Sequence, residues 1–238
     1  MKNGKAPGPD NIYTEFIKFI EEDNLDILIH IFNNIYESGI IPREWLTSAF
    51  VPLPKIKNPS KCTDFCLISL MSHVLKLFLK IIHNRIYKKC EEEMGPEQFG
   101  FRNGLGTREA MFSLSVLLQK CRDQQKDVYL CFVDHERAFD RVKHQKLMEC
   151  LRRKNLDSND IRIIENLHWN QEAFVRTEIG NTETINIQRG VRQGCVLSPL
   201  LFNIYSEEIF AKALHIAEEG IKVNGRRINK STTPMILY

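Results

Sequence analysis

Val128-Tyr129-Leu130-Cys131-Phe132-Val133 is an unbroken apolar run of strand length, with Asp127 before it and Asp134-His135-Glu136-Arg137 after it. A run with no polar face has nothing to show to water, so it reads as a buried strand covered on both sides. That requirement places a covered sheet in the chain and leaves Asp134 at the strand's C-terminal end. There the sheet fixes the carboxylate while the strand end stays reachable, which is where open α/β sites put their chemistry. Taken alone, an aspartate so placed is more often a cap or an ion-pair partner.

The chain of 238 residues, 43% hydrophobic and 26% charged, has enough apolar material for one large domain or two small ones, which excludes disorder. The net charge of +3 neither demands nor excludes a polyanionic partner. The distribution is more informative. Residues 51–126 carry 13 basic and 7 acidic side chains, net +6, and are the place to expect phosphate contacts. Seven cysteines, an odd number, without a basic-then-apolar leader point to reduced thiols in an intracellular compartment, nuclear or cytoplasmic. Most of these thiols are expected as buried filler, and Cys62 and Cys66 lack a second pair of zinc ligands. The most apolar stretch, Leu67–Ile86, is interrupted by Lys76, Lys80, His83 and Arg85, so no membrane span is expected.

Along the chain, Lys5-Ala6-Pro7-Gly8-Pro9-Asp10 is a turn. Helical spacing of Ile12, Phe16, Ile17 and Ile20, then of Leu25, Leu28, Ile31, Phe32 and Ile35, predicts two core helices, the second ending at Gly39. Ala49–Leu53 reads as a strand with a basic loop, 55–61, behind it. A long helix is expected from about Ser69 to Glu93, and another from a Thr107 N-cap. Asp140 is placed to cap a helix running to about Lys154, and a further helix covers Ile161–Leu167. Gly180-Asn181 is expected as the turn of a hairpin between Ala173–Ile179 and Glu183–Gln188. Ser198 and Pro199 fit N-cap and N1 of a helix from about Leu200 to Ala217, with a last hairpin over 221–228.

The run Phe132-Val133-Asp134-His135-Glu136-Arg137-Ala138-Phe139-Asp140 resembles the first catalytic motif of reverse transcriptases, in which an aromatic residue stands five positions after a metal-binding Asp. Four more stretches resemble the non-LTR retrotransposon branch of that family, in the family's order. These are Lys5–Asp10; Pro52-Leu53-Pro54-Lys55 through Ile68-Ser69-Leu70; Gln98-Phe99-Gly100-Phe101-Arg102 through Thr107-Arg108; and Gly190-Val191-Arg192-Gln193-Gly194-Cys195-Val196-Leu197-Ser198-Pro199-Leu200-Leu201-Phe202-Asn203. The resemblance implies an α+β right-hand polymerase without a thumb, with fingers over 1–126 and an incomplete palm over 127–238. It implies an RNA template, a DNA primer and Mg²⁺, bound by the Asp134 carboxylate and the His135 carbonyl. His135, Ala138, Phe139, Gln193 and Gly194 would face the incoming nucleotide, with Phe139 excluding a 2′-hydroxyl. Lys5, Lys55, Lys57, Gln98 and Arg102 would contact nucleic acid.

The sequence also departs from the family's pattern. Phosphoryl transfer with two metal ions needs carboxylates bridging ions roughly 3.5–4 Å apart, which the family completes with a Tyr-Ala-Asp-Asp or Phe-Ala-Asp-Asp hairpin. If Tyr238 is the aromatic of that hairpin, its two aspartates are missing here. Cys66 stands where the family has a triphosphate-pairing Arg, Asn11 where it has Gly, and His135 where it has an aromatic. An inactive chain is therefore expected, with a non-catalytic RNA-binding module as the rival reading and a decayed element product as the third. Weak RNA binding and self-association through an uncovered Val128–Val133 edge are expected with it.

Overall fold

A computed structural model of the chain describes residues 1–214, 221–223 and 226–228. Its chain order is α1 (Thr14–Lys18), α2 (Glu22–Ser38), α3 (Arg43–Leu46), β1 (Thr47–Pro54), β2 (Phe65–Leu70), α4 (His73–Glu92), α5 (Thr107–Asp123), α6 (His144–Arg152), α7 (Ser158–Trp169), β3 (Glu172–Thr177), β4 (Gly180–Asn181), β5 (Ile185–Asn186), α8 (Ser198–Leu214), β6 (Ile221–Val223) and β7 (Arg226–Ile228). The larger sheet runs β2-β1-β3-β4, with β5 also on β3. β1 and β2 form an antiparallel hairpin, Ala49 opposite Leu70, whereas β1 and β3 are parallel with Thr47 opposite Glu172. A parallel pair needs a long crossover, and α4 through α7 supply it. β6 and β7 form the expected last hairpin.

The helices bury one stripe each. In α4, Leu75, Phe78, Leu79, Ile82, Ile86 and Cys90 recur at helical spacing and are almost fully buried. Ser72 starts this helix by accepting from Leu75 N through its hydroxyl. α6 packs against α7 and α8, α2 against α7, and α4 against α8. One continuous core joins Phe32 and Ile35, the α4 stripe, Leu147, Met148 and Leu151, Ile163, Ile164 and Leu167, and Leu197–Ile204. Each such side chain contributes about 1.5–3 kcal/mol of burial. The core takes residues from both sides of position 126, as does the sheet. No helix of the described residues is long and apolar enough to cross a membrane.

Several expectations are corrected. Val128–Val133 is not a buried strand: it is unpaired, with Tyr129 92% and Phe132 82% exposed. A two-sided strand needs neighbours, and among the described residues no strand pairs with it. Asp140 does not cap α6; it lies in a 3₁₀ turn, Phe139–Arg141, and Lys143 is the N-cap. Ser69 and Leu70 belong to β2 because the ladder with β1 claims them before the helix can start. Thr107 is the first residue of α5, with Gly106 at the N-cap. The turn between β3 and β4 is Glu178-Ile179, since Thr177 pairs with Gly180. Ser198 opens α8 but donates its hydroxyl to Arg192 O instead of capping. α1 spans only five residues and leaves Phe16 exposed. The cysteines agree with expectation: four of the seven are buried, while Cys66 is half-buried and Cys62 and Cys131 are exposed.

Candidate functional site

The segment after Asp134 and the segment before α8 are laced together. Gly190 N donates to Val142 O at 2.7 Å and Val191 N to Phe139 O at 2.9 Å. Lys143 and Arg189 continue the pairing as an antiparallel bridge. The close approach explains Gly190: its φ is +98° and a Cβ there would lie 3.1 Å from the Asp140 backbone. Above this ladder the Gln193 amide donates to Asp140 Oδ1 at 3.2 Å. Gly194, at φ +85°, carries the chain past Ser69, whose carbonyl would lie 3.6 Å from an added Cβ.

Three aromatic rings meet on the same side. Phe139 lies 4.9 Å from Phe202 and 5.8 Å from Phe101, centroid to centroid. Phe101 has φ +55°, a conformation a bulky side chain adopts only when its surroundings enforce it. The enforcing contacts are visible. Gln98 Nε2 donates to Asn203 Oδ1 (3.0 Å) and Gly100 O (3.4 Å), and Asn203 Nδ2 donates to Gly100 O at 2.7 Å. Arg102 Nη1 donates to Gly95 O and Gln98 O, with Nε 3.7 Å from Glu91 Oε1. Gln98 is thus fully buried and Arg102 turns inward, so both shape the turn that presents Phe101.

The remaining residues singled out in the sequence are dispersed. Asp134 and His135 are exposed in the unpaired segment, His135 6.1 Å from the Phe210 ring. The carbonyl of the half-buried Ala138 accepts from Arg141 N. Lys5 and Lys57 are exposed, and Lys55 donates to Thr63 O at 3.4 Å within the basic loop. Cys66 sits half-buried on β2, opposite Leu53. Gly8 presses on the chain before α4: an added Cβ would lie 2.5 Å from Met71 C and Ser72 N. Asn11 has φ +55°, so Asn occupies a left-handed position that it tolerates better than other side chains with a Cβ. Among the described residues, no three His, Cys, Asp or Glu side chains form a set that could hold a metal ion.

Arg192 was silent in the sequence beyond its place in the motif. Its guanidinium is buried and donates to the carbonyls of Trp45, Leu46 and Leu167, at the ends of α3 and α7. Carbonyls at helix ends are a favourable setting for a cation, although burial lowers its pKa. Beside it, His144 Nε2 donates to Gly190 O at 2.8 Å, and His168 Nδ1 donates to Ile164 O at 2.7 Å. Burial pushes the His168 pKa down to about 3. Arg192 and His144 thus tie the 190–194 segment to α3, α6 and α7.

A family model described as reverse transcriptase (RNA-dependent DNA polymerase) matches residues 55–228. The chain is 31% identical over 207 residues to the retrovirus-related Pol polyprotein from type-1 retrotransposable element R2 of Nasonia vitripennis, covering 87% of this chain and 20% of that protein. It is 29% identical over 213 residues to the RNA-directed DNA polymerase from mobile element jockey of Drosophila funebris, covering 88% and 23%. It therefore spans about a fifth to a quarter of the length of these curated relatives. Among solved structures, apo telomerase from Candida Tropicalis truncated from its C-terminal domain matches with a TM-score of 0.53 at 13% identity, covering 78% of this chain and 44% of that one. That likeness bears on the fold alone.

Proposed function

The chain belongs to the reverse transcriptase (RNA-dependent DNA polymerase) family, as the polymerase domain of a non-LTR retrotransposon protein, and we propose that it supplies that polymerase's nucleotide- and template-facing surface. Fingers over residues 1–126 and part of a palm over 127–238 share one core. The observation that supports this reading is the meeting of Phe101, Phe139 and Phe202, which come from three matched segments far apart in sequence. A ring fixed from two sides is a rigid wall, and a wall at Phe139 excludes a nucleotide 2′-hydroxyl by contact. Gly194 permits close backbone approach to a base pair, and the exposed Gln193 amide is oriented by Asp140. Lys5, Lys55 and Lys57 would take phosphates of an RNA template or DNA primer.

Members of the family work with a divalent metal, and Mg²⁺ is the ion proposed here. The described residues do not fit a two-ion site: Asp134 offers one carboxylate and His135 one carbonyl, and no set of three His, Cys, Asp or Glu side chains among the described residues could hold a metal ion. The 238 residues contain no Tyr-Ala-Asp-Asp or Phe-Ala-Asp-Asp sequence. This chain by itself is therefore proposed to bind without catalysing, which also favours the RNA-binding reading. Self-association through the uncovered 128–133 segment belongs to the same proposal.

The test is equilibrium binding of a labelled RNA–DNA template–primer as salt is raised, for the parent and for Lys55→Ala/Lys57→Ala. Removing one phosphate-binding lysine should flatten the logarithmic salt dependence by roughly 0.7–0.9 units. An unchanged slope would remove the 55–61 loop from the interface.

A further inference from the structure

A groove of about 1110 Å³ opens between α3, the start of α6, the end of α7 and the segment after β5. Arg43, Lys143 and Arg189 line it together with Trp169, Asn170 and Gln188. Lys143 and Arg189 enter the site described above through their backbone bridge alone, and the other four carry no role in it. A second hollow of about 400 Å³ adjoins it, shares residues 186–189, and adds Arg137, Arg141 and Asp140 to the wall. Five basic side chains thus face two acidic ones, Glu172 and Asp140, across the two hollows. Arg43 pairs with Glu172 at 3.2 Å yet is 81% exposed, and Arg141 pairs with Glu136 where both are exposed. Surface pairs of this kind are weak, so both guanidinium groups remain available to a stronger anion.

Trp169 fixes the kind of ligand. It is 49% exposed at the end of α7, and its ring is backed by the His144 ring at 6.0 Å, so it stands as a supported platform with an open side. A basic track with an aromatic platform suits a single nucleic-acid strand, whose phosphates follow the charges while a base stacks. The amides of Asn170, Asn186 and Gln188 offer both donors and acceptors, matching base edges, while the open Trp169 face offers a stacking surface that carboxylate side chains do not use. The path also has a destination, because Asp140 in the second hollow accepts from Gln193.

We propose that this groove takes a single strand of RNA or DNA, with Lys143 and Arg189 on its phosphates and a base on Trp169, and leads it toward Gln193. Only the direction rests on the polymerase reading; the binding does not.

The experiment is anisotropy of a short labelled oligouridine with the full 238-residue chain as salt is raised, with oligothymidine in parallel to compare RNA with DNA. Lys143→Gln/Arg189→Gln should flatten the salt slope by about 1.4 units, 0.7 for each phosphate released on a single strand. Trp169→Ala should weaken binding about tenfold, within the range for removing one stacked base, and Trp169→Phe should restore most of it. Circular dichroism of each variant confirms the fold, and the Phe variant keeps the test valid if Ala perturbs α7. The proposal is overturned if the double variant keeps the parent slope, or if oligoglutamate displaces the RNA as well as unlabelled oligouridine does. A slope flattened by Lys55→Ala/Lys57→Ala but not by the groove pair would sink the groove and leave the polymerase reading standing. The reverse pattern would support the groove alone.

Discussion

Gln193 donates its amide to Asp140 at 3.2 Å, directly above the point where Gly190 crosses the Asp140 backbone. The contact joins the segment that carries Phe139 to the segment that carries Gly194, and the backbone bonds beneath it set their spacing. Gly190→Ala should therefore cost about 1–3 kcal/mol, since the new Cβ meets backbone at 3.1 Å and the φ of +98° is strained. Asp140→Asn keeps an acceptor oxygen at an exposed site and should stay within about 0.5 kcal/mol. Urea denaturation of the two variants gives the comparison; equal stabilities would mean that the ladder yields to the methyl group.

Gly8 and Gly104 make a second pair of opposites. An added Cβ at Gly8 would meet Met71 C and Ser72 N at 2.5 Å, whereas Gly104 has open space and only its φ of +74° to defend. Gly104→Ala should cost about 1–2 kcal/mol of left-handed strain and nothing else. Gly8→Ala should also detach the N-terminal turn from the start of α4, speeding amide exchange across residues 1–18. Exchange that stays slow in Gly8→Ala would show that the turn is held from elsewhere.

The helices were legible in the sequence where a buried stripe repeats, as in α4 and α7, and where a stop has a mechanism, as with Gly39 in the left-handed region (φ +76°). The five motif stretches were legible as well. Whether a polar side chain turns inward was not: nothing local distinguishes the buried Gln98 from the exposed Gln193, because Asn203, the partner that decides, lies 105 positions away. Val128–Val133 failed for a related reason, since apolar composition states a need for covering strands without supplying them. Asn11 looked like a loss against the family's Gly, but at φ +55° Asn is a workable substitute and says little about decay.

Acid should unfold the chain through its buried imidazoles. His168 is pushed down to about 3, and burial also lowers His144 and His73. An unfolded histidine takes a proton near pH 6.5 while folded His168 refuses it, so stability is full above that pH and falls as pH drops from about 6.5 toward 3. For His168 the slope is about 1.4 kcal/mol per pH unit. His168→Leu should flatten the curve of urea midpoint against pH in that window; an unchanged curve would place the imidazole in contact with water.

The exposed Tyr129, Phe132 and Val133 form an unpaired apolar segment, a template for pairing with a second copy. Sedimentation should show concentration-dependent association at tens of micromolar, reduced in Tyr129→Lys/Phe132→Lys. A parent chain that stays monomeric and unfolds cooperatively would mean that this segment is covered within one molecule.

The most direct measurement is primer extension on an RNA template by the 238-residue chain, with Mg²⁺ and with Mn²⁺. The expected result is no extension, because Asp134 is the one carboxylate matched to a metal-binding position and, among the described residues, no set of three His, Cys, Asp or Glu side chains could hold a metal ion. Template–primer binding should persist under the same conditions. Robust extension that disappears in Asp134→Ala would contradict this account, and would mean that another carboxylate completes the metal site.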